Sequence, residues 1–188
     1  GKQLKYLQEL QYFKLNKPRG VISSLKPQGN RPTVRDLIPV AGFFYPIGRL
    51  DFDSEGLMLL TNDGELTQRL THPRYEHEKE YHIFVSKYPS PENLKNWETG
   101  VVLRDGFRTN PVSVKVLNKE GRGAWLSLIL KEGHKRQIRE MGTVTNLKVQ
   151  RIIRIRIGKI SLGNLLPGEW RELSRGEISL LRRSVELE

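Results

Sequence analysis

Three acidic side chains, Asp51, Asp53 and Glu55, form the densest acidic cluster of the sequence, and the apolar run of residues 57–60 follows them. An apolar run of this length between polar segments predicts a buried strand, so the cluster lies on a loop at a strand end. Three interpretations of such a loop are open. It is a solvated turn, a magnesium site formed by carboxylate oxygens, or a loop that positions one carboxylate as a nucleophile toward a sugar-like electrophile. The glycine and closing glutamate of a calcium loop are absent, and no downstream pair of acids at a recognisable spacing completes a metal site.

The composition excludes several other chemistries. The sequence contains no cysteine, which removes disulfides, thiolate zinc sites and cysteine nucleophiles. Its 4 histidines leave any metal site dependent on carboxylates. No apolar run approaches the ~18 residues of a membrane-spanning helix, and no secretory signal opens the sequence. We therefore expect a soluble, cytoplasmic domain without membrane contact.

The charge is strongly positive and unevenly distributed. Lysine and arginine together number 32 against 21 acidic residues, which gives a net charge of +11. Residues 131–183 hold 13 basic and 5 acidic side chains, whereas residues 21–94 hold 8 basic and 10 acidic ones. A basic third beside a mildly acidic block is typical of proteins that bind nucleic acid, although basic surfaces also occur without a polyanionic partner.

The elements that must position the acidic loop are short strands and short helices. Residues 12–17 and 21–24 predict two strands joined by a turn, and the alternation within residues 79–86 predicts a strand with one buried face. Ser90 caps a helix that Gly100 ends. Strand–turn–strand units with few helices predict an α+β fold with a mixed, mostly antiparallel sheet, because a doubly wound parallel sheet would need more helices.

The length of 188 residues predicts one main domain. Residues 1–12 are polar and weakly periodic, so we interpret them as an amino-terminal extension or a linker remnant. The domain itself is predicted to span residues 13–184.

Four segments resemble one known family. Residues 48–64, GRLDFDSEGLMLLTNDG, resemble the signature of the RsuA-type branch of the ribosomal-RNA pseudouridine synthases. Residues 15–20 (LNKPRG), 78–81 (EKEY) and 132–141 (EGHKRQIREM) resemble further motifs of this family, in the same order. The resemblance covers about residues 13–183 and implies the pseudouridine synthase fold with a central RNA-binding cleft.

The resemblance also implies a reaction and three catalytic residues. A uridine within RNA, most readily ribosomal RNA, is isomerised to pseudouridine: its N1 glycosidic bond breaks, and the base rejoins the sugar through C5. The family aspartate matches Asp51, as the nucleophile or as the stabiliser of a glycal-type path. Tyr81 matches the tyrosine that stacks on the uracil, and Arg139 matches the arginine that pairs with the aspartate, keeping it ionised and oriented. Isomerisation needs neither redox change nor energy input, so no metal, nucleotide or flavin cofactor is expected.

RNA contacts are expected from basic residues near these motifs. Arg49 matches an arginine that fills the space left by an extruded base, although a salt bridge to Asp53 or Glu55 is an alternative. Arg154 and Arg156 lie two residues apart in a predicted strand, so we expect them on one face of it. This face either contacts RNA or is an ordinary exposed strand face. The remaining candidates for phosphate contact are Lys17, His134, Lys135, Arg136 and Arg151.

Departures from the family pattern concern the choice of RNA. His134 and Lys135 replace an Arg-Asn pair that is common in relatives, and Glu140 lies where a basic residue is frequent. Members of this branch often carry an amino-terminal S4-type RNA-binding module. Residues 1–12 are the stump of such a module, or the chain belongs with large-subunit members that lack it. We expect a monomer that acts on RNA. The alternatives are a catalytically silent RNA-binding protein of ribosome assembly with the same fold, and a magnesium-dependent nuclease that uses the acidic cluster.

Overall fold

A computed structural model describes residues 9–188, and within this part of the chain the backbone forms one mixed sheet of nine strands with four α-helices. The strands are β1 (Tyr12–Lys17), β2 (Tyr45–Ile47), β3 (Glu55–Thr61), β4 (Lys79–Val85), β5 (Ser113–Glu120), β6 (Gly123–Leu130), β7 (Val149–Ile157), β8 (Ile160–Ser161) and β9 (Trp170–Glu172). The helices are α1 (Gly64–Leu70), α2 (Pro91–Thr99), α3 (Gln137–Val144) and α4 (Arg175–Ser184), and a 3₁₀ helix covers Val34–Leu37.

The strand order is β5-β6-β4-β7-β3-β1-β9, with β2 paired to β3 and β8 paired to β7. All pairs are antiparallel except β3 with β7. The predicted α+β class with a mostly antiparallel sheet is therefore confirmed. No helix formed by residues 9–188 is long and apolar enough to span a membrane.

The parallel junction of β3 with β7 brings the acidic loop to the middle of the sheet. Only Glu55 and Gly56 of β3 pair here, with Ile153 and Arg154 of β7. Gly56 has a φ of +110°, and a Cβ at this position would overlap the backbone of Arg154. Glycine therefore permits the close approach that places Asp51, a few residues before β3, beside β7.

Strand β3 is buried along its whole length because both of its faces are covered. Leu57 and Leu59 pack in one hydrophobic cluster with helices α1 and α4, whereas Met58 and Leu60 pack on the opposite face with Phe13 of β1. This two-sided burial explains why the sequence shows a continuous apolar run here instead of an alternation.

Polar caps fix the ends of the helices next to these strands. The Asp63 carboxylate accepts a hydrogen bond from the Leu66 amide at the start of α1. Ser90 caps α2 as predicted, with Pro91 in the first turn, and Gly100 ends this helix at a φ of +105°. The caps were therefore readable from the sequence.

One predicted strand and part of one predicted segment differ from the observed chain. Residues 21–24 form only a single bridge, between Ile22 and Thr33, because the Ser23 hydroxyl hydrogen-bonds the loop at Leu50 instead of lying in a regular ladder. Of the predicted extension, residues 1–8 lie outside the described residues, and Tyr12 is already the first residue of β1.

Candidate active site

A cleft of about 990 Å³ opens between the loop that precedes β3, strand β4 and the loop that leads into α3. Asp51 of the loop before β3, Tyr81 of β4 and Arg139 in the first turn of α3 all line it. Tyr81 is half-buried and packs against two hydrophobic clusters, which fixes its ring at the cleft wall. The structure thus brings the three side chains that the sequence singled out into one concave site.

The Asp51 carboxylate is partly open to this cleft, with 36% of the side chain exposed. The preceding residue, Leu50, is buried and its amide is held by the Ser23 hydroxyl at 3.0 Å. The following turn closes with a hydrogen bond of 3.0 Å from the Ser54 amide to the Asp51 carbonyl. The backbone is thereby anchored on both sides of the carboxylate.

Lys17 stabilises this loop from below. Its side chain is fully buried, and its ammonium donates hydrogen bonds to the carbonyls of Val21 at 2.8 Å, Pro18 at 3.0 Å and Phe52 at 3.4 Å. Burial lowers the pKa of Lys17 to about 8, although the carboxylates of the acidic loop act in the opposite direction. The expected phosphate contact of Lys17 is therefore wrong, because its three N–H donors are already directed to the protein's own carbonyls.

Arg154 of β7 also forms hydrogen bonds to the backbone around this loop. It is 3% exposed, and its guanidinium donates to the carbonyls of Leu57 at 2.9 Å and Arg49 at 3.4 Å, which lie on either side of Asp51. Arg156 instead points to Glu78 and Glu80, at 3.3 and 3.4 Å, and does not line the cleft.

The expectation that Arg154 and Arg156 share one exposed face is accordingly wrong. Tyr81 pairs with Arg154, whereas the preceding Glu80 pairs with Arg156, so β7 holds one extra residue at this step. Such a β-bulge breaks the alternation of side chains on which the expectation rested.

The pairing of carboxylates with arginines also differs from the expected one. Arg139 lies 3.3 Å from the Asp53 carboxylate and donates to the Asp53 carbonyl at 3.0 Å, so it does not form the expected pair with Asp51. Arg136 forms two hydrogen bonds to Asp53, at 3.1 and 3.3 Å, and approaches Asp51 at 3.7 Å. The left-handed backbone of Arg136, with a φ of +53°, directs this side chain across the mouth of the loop.

The electrostatics follow from this arrangement. Partial burial raises the pKa of Asp53, but the hydrogen bonds from Arg136 and the charge of Arg139 outweigh it and hold the pKa below its ordinary value. Burial lowers the pKa of Arg139, against the charges of Asp53 and Asp51. Asp53 therefore anchors the two arginines, while Asp51 keeps a weaker ion pair and a face open to the cleft.

The third carboxylate of the acidic loop has a separate partner. Glu55 forms a two-pronged pair with Arg151 at 2.8 and 2.9 Å, and the Arg151 guanidinium also lies 5.7 Å from the Trp125 ring. Arg151 does not line the cleft, so the expected RNA contact is not supported there. Asp53 and Glu55 bind different cations and do not converge with Asp51 on a common point, which disfavours the magnesium interpretation.

Other basic residues named from the sequence do line the cleft. The His134 ring stacks on Phe107 with centroids 4.0 Å apart and bonds Asp105 at 2.8 Å, so it braces the loop before α3 more than it faces solvent. Arg49 and Lys135 are exposed in the cleft wall. These two, with Arg136, fit the expected role in RNA contact.

Arg31, Phe52, His77 and Lys79 are among the residues of the cleft wall to which the sequence reasoning assigned no role. Phe52 is 42% exposed next to Asp51, and the Arg31 guanidinium lies 4.9 Å from its ring centroid. Lys79 had a usable signal, because it lies two residues before Tyr81 and alternate residues of a strand share a face. Arg31 and His77 lie in irregular segments, where spacing carries no such signal.

Known proteins with similar sequences and folds identify the family of this chain. A family model described as RNA pseudouridylate synthase matches residues 11–142. An uncharacterized RNA pseudouridine synthase of Aquifex aeolicus is 39% identical over 183 residues, which cover 96% of this chain and 73% of that protein. The ribosomal large subunit pseudouridine synthase B of Bacillus subtilis is 39% identical over 174 residues, covering 91% and 71%. A crystal structure of a pseudouridylate synthase superposes with a TM-score of 0.84 at 32% identity, covering 94% of this chain and 75% of the other.

Proposed function

The chain belongs to the RNA pseudouridylate synthase family and is an RNA pseudouridine synthase, and from this premise we propose that it isomerises a specific uridine of structured ribosomal RNA with Asp51 as the catalytic carboxylate. The observation that carries the proposal is the position of Asp51. Its carboxylate lies on an anchored loop, partly exposed to a cleft that Tyr81 and Arg139 also line. Two relatives named as large-subunit ribosomal enzymes support ribosomal RNA as the substrate.

The reaction balances within the substrate. When the N1–C1′ bond of the uridine breaks, positive charge develops on the sugar, and the Asp51 carboxylate compensates it at C1′. The detached uracil keeps the electron pair of the broken bond on N1, turns and forms a new bond from C5 to C1′. The proton on C5 is then lost to a base, and N1 takes up one proton. No atom is gained or lost overall, apart from the exchange of protons with the site.

Tyr81 and the two arginines have separate roles in this proposal. The Tyr81 ring offers an aromatic face on which the uracil stacks during its rotation. Arg136 and Arg139 are fixed by Asp53, and their charges favour the ionised form of that carboxylate. Tyr81 is thus a catalytic residue, whereas Arg139 is a positioning residue for the loop.

The target uridine must leave its base stack to reach Asp51, at a cost of a few kcal/mol. Arg49 lies beside Asp51 at the exposed rim, where its guanidinium fills the vacated space. Phe52 with Arg31 offers a further stacking surface, since exposed aromatic rings and arginines are the usual platforms for RNA bases. Lys135 and Arg136 contact the phosphate backbone. We assign these roles to a monomer whose catalytic domain is residues 13–184.

Tritium release tests the proposal. Transcripts of large-subunit RNA, small-subunit RNA and transfer RNA that carry C5-tritiated uridine are incubated with the wild type, with Asp51→Asn and with Glu98→Gln, whose exposed carboxylate on α2 lies outside the cleft. The wild type and Glu98→Gln are expected to release tritium from ribosomal transcripts, and Asp51→Asn none. Tight binding without release by the wild type would instead favour the catalytically silent RNA-binding protein.

A further inference from the structure

One end of the cleft holds nitrogen-bearing side chains that lack an anionic partner: His77, Lys79 and Arg154. Among residues 9–188, neither Lys79 nor Arg154 belongs to an ion pair. In the described part of the chain, the buried Nη2 of Arg154 and the buried Nε2 of His77 find no hydrogen-bond partner. Arg154 is 3% exposed, so its free nitrogen belongs to a side chain that is almost fully enclosed.

Lys79 and Arg154 lie on a common wall, and His77 lines the same cleft from the segment just before β4. Arg154 pairs with Tyr81 across β7 and β4, and Lys79 lies two residues before Tyr81, which places Lys79 and Arg154 on the same face of the sheet. Lys79 also reaches the loop before α3, since its Nζ lies 3.6 Å from where a Cβ of Gly133 would be. This face is the one that lines the cleft.

Their charges act on one another. Burial and the charge of Arg154 both lower the pKa of Lys79. Burial and the charge of Lys79 both lower the pKa of His77. His77 is therefore disfavoured in its charged form, and within the described residues no ion pair to a carboxylate compensates Lys79 or Arg154.

Such an arrangement costs free energy in the unliganded protein, because buried cations without a partner lose hydration and repel each other. Two other arginines of β7 avoid that cost by pairing, Arg151 with Glu55 and Arg156 with Glu80. An anion bound at the cleft wall offsets the cost. The substrate of the proposed function supplies one, since a nucleotide of RNA carries a phosphodiester on each side.

We propose that His77, Lys79 and Arg154 form a phosphodiester-binding subsite, which holds the RNA backbone next to the target uridine. The identity of the anion as RNA rests on the proposed function. Arg154 also donates hydrogen bonds to the carbonyls of Arg49 and Leu57, so the same side chain contacts the bound phosphodiester and holds the loop that carries Asp51. The subsite thereby registers the nucleotide relative to the catalytic carboxylate. Neutral His77 contributes its Nε2 as a hydrogen-bonding atom.

Calorimetric titration with uridine, uridine 5′-monophosphate and uridine 3′-monophosphate tests the subsite without turnover. In the wild type, one monophosphate is expected to bind about tenfold more tightly than uridine, the gain of one charge-assisted contact. The 5′ and 3′ arms identify which phosphate is held. Equal binding of the nucleoside and both nucleotides to the wild type would overturn the proposal.

Variants identify the residues. Lys79→Gln is expected to lose most of the advantage of the phosphate and Lys79→Arg to keep it, while Lys87→Gln, an exposed lysine just after the same strand, keeps it fully. If folded Lys79→Gln, checked by its melting temperature, retains the full advantage, the subsite is not at Lys79 and the proposal fails.

The outcome is separable from that of the proposed function. Asp51→Asn leaves the three residues intact and is expected to retain the phosphate advantage although it releases no tritium. A wild type that shows the phosphate advantage but isomerises no transcript would contradict the proposed function alone. An active enzyme whose KM for RNA is unchanged by Lys79→Gln would contradict the subsite alone.

Discussion

Asp51 and Asp53 lie two residues apart on one loop, yet their surroundings give them different chemistry. The Asp53 carboxylate pairs with Arg136 at 3.1 Å and with Arg139 at 3.3 Å. The Asp51 carboxylate lies 3.7 Å from Arg136 alone and faces the cleft. A carboxylate held by two strong pairs is a poor reactant, because attack on a sugar would break those pairs. Asp53 therefore anchors the two arginines, and Asp51 is the reactive carboxylate.

Substitution of the anchor is expected to show in the pH dependence of stability. The folded pKa of Asp53 lies below its ordinary value of 3.8, so its contribution to the free energy of unfolding is present above that value and is lost as the pH falls through the folded pKa. Asp53→Asn should melt below the wild type at pH 7, and the gap should close as the pH falls below about 4. Thermal melts at a series of pH values measure this. A gap that is constant down to pH 2 would contradict the ion-pair account.

The sequence carried the identity of the site residues but not their partners. Family motifs pointed to Asp51, Tyr81, Arg139 and Arg49, and all four line one cleft. The observed pairing of both Arg136 and Arg139 with Asp53 depends on a left-handed backbone at Arg136. This non-glycine residue adopts a conformation that residue spacing does not reveal. Likewise, Lys17 donates to the nearby carbonyls of Pro18 and Val21 and to that of Phe52, which is distant in sequence, and residue spacing reveals none of these contacts.

At the scale of elements, the short parallel contact between β3 and β7 positions the chemistry. It joins the loop that carries Asp51 to the strand that carries Arg154, and Gly56 allows the two backbones to approach. The apolar run of β3 and the caps of α1 and α2 were predictable, because local pattern and local hydrogen bonds determine them. The bulge in β7 and the three-residue strand β9 were not, because each depends on pairing with distant residues.

Gly56→Ala is expected to destabilise the protein by about 2–4 kcal/mol, since the new methyl group overlaps the Arg154 backbone and the φ of +110° disfavours alanine. Gly64→Ala is the matched control. Gly64 is the first residue of α1, nothing lies within 4 Å of a Cβ there, and alanine favours helix. Urea denaturation of both variants measures the difference. Equal stabilities would show that the junction tolerates a side chain and is not a close approach.

At the scale of the whole molecule, the net charge of +11 overstates the cationic surface that RNA can use. Several arginines of the basic carboxy-terminal third are already paired with carboxylates, among them Arg151, Arg156 and Arg171. Net charge read from sequence counts these equally with exposed Arg49 and Lys135, because the pairing only exists in the folded chain. The sequence therefore predicted the class of partner, whereas only the folded chain shows which cations are already paired with carboxylates.

The salt dependence of RNA binding separates the two kinds of cation. Lys135→Gln is expected to reduce the slope of log K against log salt by about 1, the effect of one lost phosphate contact. Arg156→Gln should change it little, since Glu78 and Glu80 already neutralise that charge. Binding isotherms between 50 and 200 mM salt, roughly the range over which such slopes are resolved, give both values. An Arg156 effect as large as that of Lys135 would place RNA on the outer face of β7.

The most direct test of the central claim compares turnover and affinity in Asp51→Asn on the ribosomal transcript that the wild type modifies. If Asp51 is the carboxylate that acts at C1′, single-turnover isomerisation is lost while the dissociation constant for RNA stays within about twofold, because cationic contacts to phosphates supply most of the binding. Measurable isomerisation by this variant at saturating enzyme, or a loss of turnover fully explained by lost RNA affinity, would contradict the assignment of Asp51.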